Sequence, residues 1–398
     1  MELLLTGDHK MNLSEPADWA YPIPTSYGPG RLAEIGALCE RNAVKRPLLV
    51  TDRGSRDLPF MQAIGKSLQA SGLSYDVYSD ISPNPRDDEI ATGCLQYRDG
   101  NHDGILGVGG GSGMDGAKAI CLSALNNFDL LDFDILKPPP ELEGPNAFPA
   151  LITVPTTAGT GAESEATAMI TETARMMKWC IAHPRLKVTA TILDPEITFG
   201  LPMAMTAWTG CDALVHAIEA YCVPMFYPLC DGAALEALRL ISANIERAVE
   251  APADLDARGG MLVGSYLAGI SFLKGLGFVH AISHMVGAEY DTHHGLTNAI
   301  ILPAVLRFNE PNIAEKVAPM AQAMSMDATD YETFYTTICG LLDRLDIPKT
   351  LADINVETTC AATIAPKAME DGAFQTNPRA ASAEELQTIV ETALTTGR

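Results

Sequence analysis

The sequence predicts an α/β domain built on a parallel sheet, followed by an all-helical domain. Three observations lead there. Short apolar runs alternate with helical patterns up to about residue 200. Beyond that point only segments of helical period remain. Two of the early strands also run into glycine-containing loops. Strand–helix alternation is the signature of a parallel sheet covered on both faces. The expected units are 1–198 and 199–398.

The strands come in order. RPLLVTD (Arg46 to Asp52) reads as a strand ending in a polar turn, and LSYDVYSDI (Leu73 to Ile81) alternates like a second. DGILGVGGGS (Asp103 to Ser112) and ALITVPTTAGTG (Ala150 to Gly161) are strands that open into glycine loops. VTATILDPE (Val188 to Glu196) is a further strand, and a helical segment over Gln62 to Ala70 lies among them. KPPPELEGP (Lys137 to Pro145) reads as a surface loop. The second unit carries helical period over Asp212–Cys222, Gly232–Val249, Leu262–Leu273, Val279–Glu289, Glu315–Met324, Tyr331–Leu345 and Glu384–Ala393, with Gly, Pro and Asn between them.

Composition narrows the function. The 398 residues hold 27 Lys plus Arg against 50 Asp plus Glu, a formal charge of −23. Such a chain is repelled by phosphate backbones, so nucleic acid is not an expected partner. No run approaches the ~20 apolar residues of a membrane helix, and the N-terminus does not read as a signal peptide. A cytoplasmic protein is expected, with no membrane partner. The nine Cys are odd in number and form no CxxC pair. A disulfide framework or a Cys-based zinc site is therefore not expected, and buried thiols in a reducing compartment are.

The first glycine loop, LGVGGGSGMDGAK (Leu106 to Lys118), joins a strand to a helix. Glycines permit close backbone approach, and helix N-terminal amides favour anions. That suits a pyrophosphate. It is not a Walker loop, because Ala117 follows Gly116 where a Lys is required. Gly111, Gly113 and Gly116 satisfy GxGxxG, a weak pattern that a tight turn also explains. The second loop, PTTAGTGAE (Pro155 to Glu163), strengthens the functional reading, since two loops at sheet ends can enclose one dinucleotide. The ordinary fingerprint puts a ribose-binding acid roughly 20 residues on, near Asp132 or Asp134. Asp52 is the alternative, and spacing does not choose.

Histidine is unevenly placed. Four of the chain's eight lie between Gly275 and Gly295: His280, His284, His293 and His294. His280 and His284 stand four apart on one helical face, as do Asp212 and His216 in TGCDALVHAIEAY. HAISH lacks the Glu of the zinc-protease motif, Ala281 standing there. One carboxylate with two or three imidazoles suits a divalent transition metal. An open coordination position on it would polarise a carbonyl or hold an alkoxide. The plainer alternative makes Asp212 part of a capping box begun by Thr209. His9, His102 and His183 have no partner at helical spacing and read as surface or loop residues.

Taken together, GGGSGMDGAK, PTTAGTGAE, DPE, TGCDALVHAIEAY, HAISH, HHGLTNAIILP and TNPR (Thr376 to Arg379) resemble the iron-containing (group III) alcohol dehydrogenases over nearly the whole chain. The resemblance implies an α/β dinucleotide-binding domain and an all-helical C-terminal domain, the fold shared with dehydroquinate synthase, with the active site between them. It implies a metal held by Asp212, His216, His280 and His294, with Fe(II) expected and Zn(II) or Mn(II) admitted. His284 would stand beside the metal as a proton relay. For NAD, the resemblance implies Asp52 at the ribose, and its charge disfavours NADP. It implies Gly109, Gly110, Gly111, Ser112 and Asp115 in the first cofactor loop, Thr156, Thr157 and Thr160 in the second, and Lys178 as a further contact.

Two departures stand near the site: Met285, where relatives often have Pro, and His293, again in place of a Pro. His294 keeps the spacing to His280 and precedes Gly295. His293 is then a donor behind the ligands or faces solvent. Both departures are expected to bear on substrate choice, and Phe278 is expected to line the pocket. The implied activity is an NAD-dependent alcohol dehydrogenase acting on a small alcohol or aldehyde, in a homo-oligomer. A hydroxyacid–oxoacid transhydrogenase, a lyase of the dehydroquinate synthase type and a non-catalytic metal-binding protein are the competing readings.

Overall fold

The computed structural model describes residues 23–144, 147–327 and 329–398. His9 and Pro145 lie outside them. The first part of the chain supplies β1 (Thr25–Tyr27), α1 (Ile35–Arg41), β2 (Pro47–Asp52), α2 (Pro59–Ala70), β3 (Asp76–Ile81), α3 (Asp87–Asp99), β4 (Gly104–Gly109), α4 (Gly111–Ser123), β5 (Ala150–Pro155), β6 (Thr167–Glu172), β7 (Met177–Ala182) and β8 (Ala190–Leu193). Six of these strands form one sheet in the order β1-β8-β5-β4-β2-β3, and every pairing in it is parallel.

Burial on both faces explains why these strands read as unbroken apolar runs. Leu48, Val50, Ile105 and Leu151 pack toward Ile90, Cys94 and Tyr97 of α3 and Ala117 and Ile120 of α4. Their neighbours Leu49, Leu106, Val108, Ile152 and Val154 pack on the other face toward Ile35 and Leu38 of α1 and Ile64 and Leu68 of α2. The chain lays β3 on one side of β2 and β4 on the other. The carboxyl ends of β2 and β4 thus flank a topological switch point, where open α/β sheets bind ligands.

The hairpin β6–β7, antiparallel and outside the main sheet, is absent from the sequence reading, as is β1. The later chain forms α5 (Met203–Cys222), α6 (Pro228–Glu250), α7 (Leu255–Ser271), α8 (Phe278–Tyr290), α9 (His294–Ala323), α10 (Tyr331–Arg344), α11 (Ala361–Ala368) and α12 (Ala383–Thr395). No strand occurs there among the described residues. Helix α5 is buried almost all round from Thr206 onward, which makes it the centre of this part. Helix α9 is far longer than the Glu315–Met324 segment expected, and contains Pro303, Pro311 and Pro319. Residues 137–144 have no regular structure and are largely exposed. Among the described residues no single helix is long and apolar enough to cross a membrane.

Candidate metal and cofactor site

A cleft of about 2010 Å³ lies between the carboxyl edge of the sheet and the helical part. Thr209 does not begin a capping box. It lies inside α5, whose first residue is Met203. The i, i+4 spacing therefore points Asp212 and His216 inward together. Helix α8 does the same for His280 and His284. His294 opens α9, and Gly295 explains how it reaches them. A Cβ on Gly295 would stand 2.3 Å from the Trp208 carbonyl oxygen, so only glycine lets the two helices approach this closely.

One ligand atom from each of Asp212, His216, His280 and His294 falls within 4.8 Å of all the others. The Asn298 amide nitrogen lies 2.7 Å from Asp212 Oδ1 and 3.1 Å from both His280 Nε2 and His294 Nε2. An amide has two protons and cannot satisfy three acceptors. The cluster is thus short of positive charge at its centre, and a divalent cation fits it. Burial lowers His216 from 6.5 to about 4 and His280 to about 3, so their rings are neutral with a lone pair to give.

Further residues orient these rings. Glu219 Oε2 accepts from His280 Nδ1 at 2.6 Å, which leaves Nε2 facing the cluster. Ser283 Oγ stands 3.0 Å from His294 Nδ1. His284 is outside the four-atom group, its ring centroid 5.3 Å from that of His294. Its Nδ1 donates to Asp371 Oδ2 at 2.8 Å and its ring lines the cleft. Glu219, Asn298 and Asp371 were not picked out from sequence. Glu219 and Asn298 had a signal, standing three after His216 and four after His294 on the same helical faces. Asp371 had none.

The cofactor candidates gather at the switch point. Gly110, Gly111, Ser112, Asp115, Thr156, Thr157, Thr160, Lys178 and Asp52 all line the cleft. Gly109 does not. It lies beneath, at φ +146, a conformation that calls for glycine. A Cβ on Gly111 would meet Thr160 Cγ2 at 2.6 Å, so the bare backbone of the first loop packs against the Thr160 side chain of the second. Helix α4 begins here, so its N-terminal residues Gly111 and Ser112 line the cleft, where the free amides of a helix start suit a pyrophosphate. Asp52 ends β2, and its carboxylate accepts from Gly54 N, Ser55 N and Ser55 Oγ. Asp132 and Asp134 are not among the residues lining the cleft. Asp115 accepts from Met169 N and lies 3.6 Å from the buried Lys118. Lys178 donates to Asn84 Oδ1 at 2.9 Å.

Several expectations need correction. Phe278 does not line the cleft. It is buried in the helical core, stacked on Phe374 at 5.0 Å, and Phe272 lines the cleft instead. Met285 is likewise a fully buried core residue, away from the cleft. His293 does line it, but its Nδ1 accepts from Leu296 N and caps α9, with the ring on Trp208 at 5.1 Å. It is neither a donor to the ligands nor a free surface group. His102 and His183 sit in loops but are buried. His183 packs against Phe133 and Phe148 and bonds the Pro140 carbonyl.

The chain matches two family models: iron-containing alcohol dehydrogenase over residues 22–195, and the C-terminal part of the Fe-containing alcohol dehydrogenase family over 206–394. It is 34% identical to the 1,3-propanediol dehydrogenase of Klebsiella pneumoniae over 382 residues, 94% of this chain and 97% of that protein. It is 32% identical to the NAD-dependent methanol dehydrogenase of Bacillus methanolicus over 380 residues, 94% and 98% of the two chains. A solved 1,3-propanediol oxidoreductase superposes with a TM-score of 0.90 at 34% identity, covering 96% of this chain and all of the other.

Proposed function

The chain belongs to the iron-containing alcohol dehydrogenase family, and from that premise we propose how its own residues interconvert a small alcohol and its aldehyde or ketone. The activity is an oxidoreduction at a CH–OH carbon that uses NAD and a divalent metal. One observation carries the assignment of residues: four metal-binding side chains from three helices converge in the cleft that the glycine loops also line.

Bound there, the cation would supply Lewis acidity toward the alcohol oxygen and the nicotinamide a hydride acceptor. The remaining work falls to the chain. Asp212, His216, His280 and His294 hold the metal, and Glu219 fixes the tautomer of His280. The α4 amides, Ser112 and the three threonines seat the cofactor, and Asp52 meets its ribose. His284, with Nδ1–H committed to Asp371, offers Nε2 to the hydroxyl proton as general base. Phe272, Leu276 and Met225 give the cleft apolar lining suited to a short aliphatic chain. The same reading divides the chain into a cofactor unit, 1–198, and a metal and substrate unit, 199–398.

The test is NADH formation from free NAD with a panel of short primary alcohols, diols and hydroxy acids. NADH from one or more of the alcohols or diols is expected. A protein that passes hydride between two substrates and releases no NADH would instead be a transhydrogenase.

A further inference from the structure

Three parts of the cleft meet at one amide. Asn84, in the loop between β3 and α3, is buried. Its Oδ1 accepts from Lys178 Nζ at 2.9 Å, and its Nδ2 donates to Asp291 Oδ1 at 2.7 Å. An ammonium only donates and a carboxylate only accepts, so the amide can face only one way. Both bonds are charge-assisted. Lys178 lies on β7 among the cofactor candidates. Asp291 ends α8 and stands three residues before His294.

The pieces joined are stiff. Ser82 N and Oγ and Arg86 N are all held by the Glu89 carboxylate. The Pro85 carbonyl accepts from Thr171 N at 2.7 Å, and the Pro83 carbonyl accepts from Ser112 Oγ of the glycine loop. On the other side, Asp291 sits at φ 51, ψ 36, left-handed for a non-glycine residue. Gly287, one turn on from His284 on the same helical face, leaves room for the contact. A Cβ there would stand 3.4 Å from Asn84 Oδ1. A short rigid path thus runs from the cofactor loops through Asn84 to the turn that aims His294.

We infer that Asn84 couples the two halves of the site, so that NAD and the metal bind cooperatively. Lys178 has three protons, and Asn84 takes one. A cofactor that engages another fixes the ammonium, and through the amide fixes Asp291 and the turn before His294. By reciprocity the metal must then tighten NAD by the same factor. Asn84 is a positioning residue here, and the inference rests on the NAD and metal reading above.

The experiment is zinc affinity of the full chain by competition with a chromogenic chelator, with and without saturating NAD. In the wild type NAD should tighten zinc by about fivefold or more. In Asn84→Ala both ligands should still bind, and the factor should fall to about one. Asp291→Gly, which suits the left-handed turn, should give the same loss from the other end, and the double variant no further loss. NAD and zinc binding independently in the wild type, or a factor that survives both substitutions, would overturn the coupling and leave the family reading intact. A wild type that binds no zinc or no NAD would overturn the coupling together with the assignment of this cleft as a joint NAD and metal site.

Discussion

His284 owes its orientation to Asp371, a residue 87 positions away in sequence. If Asp371 holds the Nδ1 proton, Asp371→Asn lets the ring flip its tautomer. Turnover should then fall by roughly 100-fold or more, the usual worth of a positioned general base, while metal content stays whole. Steady-state kinetics beside metal analysis checks this, and unchanged turnover would remove the pair from the mechanism.

Glu163 gives a second test at this scale. It is buried, its Oε1 has no partner, and burial raises it from 4.5 to about 7. The folded state keeps a proton that the unfolded chain releases between those values. Stability is therefore lost as pH rises through that window. His216 and His280, lowered, work the opposite way, so only a difference between variants isolates Glu163. The stability advantage of Glu163→Gln, read by denaturant unfolding at each pH, should grow with pH and level off above about 7, at roughly 3 kcal/mol. A constant difference across the range would contradict the buried, protonated carboxyl. The pairs Asp212–His216 and His280–His284 were legible because i, i+4 spacing is local, and His294 was added only by the resemblance. Asp371 and Asn84 were not, because their partners are set by tertiary contact alone.

At the scale of elements, legibility follows burial and length. Strands β2, β4 and β5 announce themselves as Val, Ile and Leu runs because both faces are covered. The hairpin β6–β7 hides, since TAMITE and MKWCIA mix buried and half-buried positions and are joined by no Asn-Gly turn. The first part of α9 hides behind its prolines, and α11 spans only eight residues with Pro366 inside. The contact of β4–α4 with the second loop is the element-scale feature that matters most. Gly111→Val should wedge Thr160 away and raise the KM for NAD by about tenfold or more, in line with overpacking costs of 1–3 kcal/mol. Zinc affinity measured without NAD should not move. A KM for NAD equal to wild type would show that the loops do not need bare backbone here.

Across the whole molecule, two building principles divide the labour. The sheet brings its loops to a switch point, and the candidate pyrophosphate cradle there is made of backbone amides. An acidic chain of net charge −23 can thus bind a negative cofactor without a basic surface. The helical part, centred on α5, brings together the four candidate ligands of the cation, from α5, α8 and the first residue of α9. The central claim is that this one cluster holds the metal on which hydride transfer depends. The direct measurement strips the protein of metal, reloads it anaerobically with Fe(II), Zn(II) or Mn(II), and reads bound metal and NADH formation together, beside His280→Ala. NADH that returns in proportion to one equivalent of metal, with neither metal nor NADH in the variant, is the predicted result. Full metal occupancy in His280→Ala, or NADH formation by the stripped protein, would contradict it.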